Sequence, residues 1–134
     1  MESDLKTFKT KLKRRLYNIA LDTIKFIDKL DQRDLAVRKL SDQLLRSSTS
    51  IIGNYIEGES ATSDKELIKY LNIALRSSNE TKLWLCMLKD SGRAKKEQIE
   101  TTLNELNEIS KILATSIISL KKKLNTSKIK KTIN

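Results

Sequence analysis

Residues 67–88 read LIKYLNIALRSSNETKLWLCML. Leu67, Leu71, Ala74, Ser78, Thr81, Leu85 and Leu88 recur at steps of three and four, the period of one helical face. Thirteen of these 22 residues are apolar or aromatic. A helix in a monomeric bundle needs three to four such positions in seven. Leu83 to Leu88 is apolar all the way round, as in a helix buried on more than one side.

The same spacing extends outward in both directions. Before it come Leu5, Phe8, Leu12, Leu16, Ile19, Phe26, Ile27 and Leu30, then Val37, Leu40, Leu44, Ser48, Ile51 and Tyr55. After it come Ile99, Leu103, Leu106, Ser110, Leu113, Ile117, Leu120 and Leu124. Zero proline permits long unbroken helices. Three breaks divide them. Asp31 to Asp34 is polar and carries a capping Asp at either end. Gly58 to Ser63 is the second, with Ser63 and Glu66 at capping-box spacing. Asp90-Ser91-Gly92 is the third, with Gly92 suited to the left-handed position that closes a helix. Short links between four long helices predict an all-α, up-down-up-down antiparallel four-helix bundle. It forms a single domain over residues 1–124, followed by a basic, flexible tail at 125–134. The contiguous apolar excess of helix three, with Leu45, Ile52 and Ile56 flanking the seam of helix two, predicts self-association through those two helices.

Composition narrows the chemistry. The 134 residues include no His and one Cys, with 38% hydrophobic and 33% charged. Without His there is no imidazole base, nucleophile partner or metal ligand. One Cys makes neither an intrachain disulfide nor a cysteine zinc site. No apolar run reaches the length of a signal or membrane-spanning segment, so the expected location is the reducing cytoplasm, with no membrane partner. Glu57 and Glu80 are the nearest thing to a catalytic carboxylate pair. A di-metal bundle needs Glu-x-x-His motifs, and a small bundle offers no sugar cleft. The expectation is no enzymatic activity, no metal and no cofactor.

The formal charge of +10 is unevenly placed. Residues 1–15 carry Lys6, Lys9, Lys11, Lys13, Arg14 and Arg15 against two acids, a net of +4. Residues 121–134 carry Lys121, Lys122, Lys123, Lys128, Lys130 and Lys131 with no acid, a net of +6. The body between them is neutral. In an antiparallel bundle both runs share one end, a basic patch suited to the phosphates of RNA or DNA. Phe8, Tyr17, Phe26, Tyr55, Tyr70 and Trp84 sit mostly on apolar seams, so base stacking is not expected and binding should be electrostatic. The competing function is a protein–protein scaffold whose basic ends bind no nucleic acid.

Ser50, Asn54 and Glu57 share one face of helix two, and Ser77 and Glu80 lie three apart in helix three. They read as groups that fix helix register, and Gly53 as a close helix–helix approach. Around them the chain resembles a known family. SIIGNYIEG at 50–58, Ser63, and LNIALRSSNETKLWL at 71–85 are similar to the motifs of bacterial four-helix proteins related to those encoded in 23S ribosomal RNA intervening sequences. The matching positions are Ser50, Ile51, Asn54, Glu57, Gly58, Ala74, Ser77, Asn79, Glu80, Thr81, Trp84 and Leu85. The resemblance implies a homopentamer without assigned enzymatic activity. A sibling branch, the accessory variability determinant of diversity-generating retroelements, implies a second kind of partner, a reverse transcriptase. Ser50, Gly53, Asn54, Glu57, Ser77, Glu80 and Trp84 are the candidate register or oligomer-interface positions.

Overall fold

A computed structural model describes residues 2–133, with side chains over 3–132. Four helices follow one another: α1 (Glu2–Asp28), α2 (Leu35–Glu59), α3 (Asp64–Asp90) and α4 (Lys96–Ile133). No strand occurs among the described residues.

The ends of the helices follow from local chemistry. Asp34 caps α2 by accepting from the N–H groups of Ala36 at 2.9 Å and Val37 at 3.3 Å. Ser63 caps α3 by accepting from Glu66 N at 3.1 Å. The Glu66 carboxylate turns to the Thr62 hydroxyl. Gly92, at φ 79°, closes α3. Its N–H reaches Lys89 O, and Arg93 N–H reaches Leu88 O, which together make a Schellman motif. The first break differs from expectation: α1 stops at Asp28, and Asp31 works within the turn by accepting from Arg33 N–H. Leu30 is still buried, so the seam outlasts the helix.

Leu16, Leu44, Ile51, Ala74, Leu85, Leu88, Leu106, Ile109 and Leu113 form the fully enclosed centre. α2 and α3 make the most extensive contact and, of the four adjacent pairs, α1 and α4 the least. The α2–α3 contact is close because small hydroxyl residues line it. Thr81 Oγ1 meets Ser47 Oγ at 2.9 Å, and Ser77 Oγ meets Ser50 Oγ at 2.9 Å. A third hydroxyl pair, Ser78 and Ser110 at 2.8 Å, joins α3 to α4. Bonded hydroxyls avoid the desolvation penalty of burial.

Two expectations need correcting. Gly53 is exposed, and a Cβ there would meet nothing within 4 Å, so it marks no close approach within the chain. The close approach is at Gly58, where a Cβ would lie 3.1 Å from Leu67 Cδ1 and 3.4 Å from Tyr70 Cβ. Residues 125–133 are not a separate tail but the last turns of the 38-residue α4; Asn134 lies outside the described residues.

Candidate nucleic-acid interface

The basic residues stand on the two helix ends that leave the core. In α1 the first buried side chain is Leu12, and residues 3–11 are exposed on every side. Leu5 and Phe8 belong to the seam by spacing, yet they are about half exposed. The reason is length: Glu59, the last residue of α2, pairs with Lys13, so α1 has two to three more turns than α2 can cover. In α4 every described side chain after Leu124 is exposed.

Three of the twelve candidate cations are held in ion pairs. Lys13 Nζ lies 2.8 Å from Glu59 Oε1. Lys123 Nζ lies 3.1 Å from Asp64 Oδ2. Arg15 donates from Nε and Nη2 to the two oxygens of Glu105, and from Nη2 to Glu108 Oε2 at 2.6 Å. The Arg15 hydrogen bond holds the Glu105 carboxyl below its usual range, and the same bond raises the guanidinium. Arg15 is thus a strut between α1 and α4. The other nine, Lys6, Lys9, Lys11, Arg14, Lys121, Lys122, Lys128, Lys130 and Lys131, are exposed and form no ion pair among the described residues.

The register group divides. Ser50, Asn54 and Ser77 come together: Asn54 Nδ2 donates to Ser50 O and Ser50 Oγ, both at 2.9 Å, and Ser77 Oγ joins the same hydroxyl. Glu57 and Glu80 are exposed and take part in no hydrogen bond or ion pair among the described residues. Trp84 is half-buried, and its Nε1–H is a buried donor with no partner among them. Leu85 and Leu88 enter the core, whereas Leu83 and Met87 stay 48% and 46% exposed. No group of three or more His, Cys, Asp or Glu side chains is placed to hold a metal ion, and no helix is long and apolar enough to cross a membrane, among the described residues.

Sequence reading missed Ser47, Glu59, Asp64, Glu105 and Glu108. Glu105 and Glu108 at i, i+3 signalled one acidic helix face. Nothing in the sequence said that Arg15 would lie opposite it.

A family model for the 23S rRNA-intervening sequence protein matches residues 9–115. A solved structure from Bacteroides thetaiotaomicron, a protein of unknown function from the S23 ribosomal protein family, superposes with a TM-score of 0.71. The two share 36% identity, over 79% of this chain and 97% of that one. No curated protein matches. The matched span takes in the helix-two and helix-three motifs and all four helices in whole or in part, and the chain belongs to the 23S rRNA-intervening sequence protein family.

Proposed function

We propose that this chain is a non-catalytic, oligomeric accessory protein of the cytoplasm that binds structured RNA through a basic end built from both of its outer helices. What carries the reading is a pair of contacts. Lys13 and Lys123, one from each basic run, pair with Glu59 and Asp64, which flank the same short link between α2 and α3. That relationship supports an up-down-up-down antiparallel order, as do the Ser47–Thr81 and Ser50–Ser77 pairs, whose numbers rise in α2 as they fall in α3. Nine exposed cations without ion-pair partners among the described residues then share one end, a source of phosphate contacts that need no base recognition.

Self-association as a homopentamer is the second part of the reading. Leu83 and Met87, one turn apart on α3, and Leu45 and Ile56 on α2 are large apolar side chains left 41–48% exposed. A ring would multiply weak phosphate contacts through effective concentration. The test is a gel shift with a structured RNA at about 50 mM salt, where phosphate contacts are strong, beside a pull-down on anionic liposomes. RNA binding that weakens as salt rises, without liposome binding, agrees with the proposal. No RNA binding leaves the protein–protein scaffold in its place.

A further inference from the structure

We propose that the cleft between the uncovered first turns of α1 and the end of α2 is a seat for one backbone phosphate, and that Glu59 is the built-in anion which that phosphate displaces. The inference rests on the RNA-binding reading above and deepens it. Lys6, Lys9 and Lys13 fall on one face of α1 at steps of three and four. They line an open cleft of about 740 Å³ with Ser3, Leu5 and Thr10, and Glu59 forms its opposite wall. Lys13 is held by Glu59 at 2.8 Å. Lys6 and Lys9 have no ion-pair partner among the described residues, and among those residues three ammonium groups share the cleft with one carboxylate.

Two features make Glu59 a stand-in and not a fixture. It is the last residue of α2, where a carboxylate opposes the negative end of the helix dipole, so its position does nothing for α2. The pair is also open to solvent, with the Lys13 and Glu59 side chains 44% and 32% exposed. Pairs of this kind favour the closed state by at most about a factor of five. A phosphodiester carries the same single negative charge as Glu59, and Lys6 and Lys9 attract it as well. Its arrival transfers Lys13 from Glu59 to the phosphate. The freed Glu59 carboxylate stays beside the bound phosphate and attracts a cation of its own, so the seat releases less than one counterion in the native protein.

The test measures RNA affinity against salt for the full chain, Glu59→Gln, Lys13→Gln, the double variant, and Asp28→Asn. Asp28→Asn adds the same charge at the far end of α1, where residue Asp28 is exposed and about 22 Å of helix from Lys13, beyond a Debye length. Circular dichroism checks that each variant folds. Glu59→Gln should tighten binding about five-fold and steepen the log–log slope, by at most about 0.7–0.9 for the one phosphate. Asp28→Asn should change affinity less than about two-fold. Lys13→Gln should cost more in the Glu59→Gln background than alone. Equal effects of Glu59→Gln and Asp28→Asn, or an equal cost of Lys13→Gln in both backgrounds, would overturn the seat while leaving RNA binding intact. If the native protein binds no RNA, the RNA reading fails and inorganic phosphate decides the seat. Amide shifts confined to the cleft, larger in Glu59→Gln, would support it. The absence of such shifts would overturn it.

Discussion

Arg15 of α1 grips Glu105 of α4 with both arms of its fork, Nε to Oε2 at 2.9 Å and Nη2 to Oε1 at 2.6 Å. Of the four neighbouring helix pairs this one makes the least contact, and the charge-assisted fork joins its two helices directly.

That clamp makes stability pH-dependent in a defined direction. The Arg15 hydrogen bond depresses the Glu105 carboxyl below its ordinary value of 4.5. A depressed carboxylate contributes stability that is present above its unfolded value and lost as pH falls through the folded one. Glu105→Gln should therefore be less stable than the native protein near neutral pH by about 1 kcal/mol, given that the two side chains are 34% and 29% exposed. The gap should close in acid, well below pH 4.5. Urea unfolding at both pH values reads it; a gap that widens in acid contradicts the assignment.

The hydroxyl pair Thr81–Ser47 gives a second prediction. Thr81 is fully buried and also reaches Ser77 O at 2.7 Å. Thr81→Val removes both hydrogen bonds and should cost about 1 kcal/mol. Ser47→Ala combined with Thr81→Val should cost less than the two separately, because the Ser47–Thr81 bond that each single variant loses is lost only once in the double. Chemical denaturation of the double-mutant cycle measures the coupling.

Glycine supplies a third. Gly53 lies mid-helix in open space, so Gly53→Ala should raise stability by up to about 1 kcal/mol. Gly58→Ala brings a Cβ to 3.1 Å from Leu67 Cδ1, so the same helix-propensity gain is offset by crowding. Thermal melts at one protein concentration should therefore rank Gly53→Ala above the native protein and Gly58→Ala at or below it.

Much of this fold is written in local spacing. Asp34, Ser63 and Gly92 end or begin helices by interactions within a few residues, and the seams name five of the nine buried positions of α2 and six of the eight of α3. What lay beyond reach was relative length and rotation. Phe8 fits the α1 seam by period, but only the level at which α2 stops, fixed by Lys13 and Glu59, decides that no helix covers it. Gly53 was misread because a helical glycine signals either close contact or mere tolerance, and burial separates the two. Arg15 looked like one more cation in a basic run, since its partners lie some 90 residues away.

Self-association is tested at the exposed apolar pair on α3. Leu83→Glu with Met87→Lys should leave helix content unchanged, because neither side chain enters the core. It should reduce the particle to a single chain in light scattering. A native protein that runs as a monodisperse 15.4 kDa particle would remove the oligomer from the account.

The most direct test of the central claim is RNA affinity against salt for the native chain, for a chain lacking residues 125–134, and for Lys121→Gln/Lys122→Gln/Lys123→Gln. The deletion removes Lys128, Lys130 and Lys131 from turns that reach no core position, so circular dichroism should show only the loss of those turns. Removing three phosphate-binding ammonium groups should flatten the log–log slope by about 2–2.7. The triple substitution should weaken binding about uniformly across RNA sequences. No binding by the native chain at about 50 mM salt, or variants that match it, would mean that the basic end is not a nucleic-acid interface.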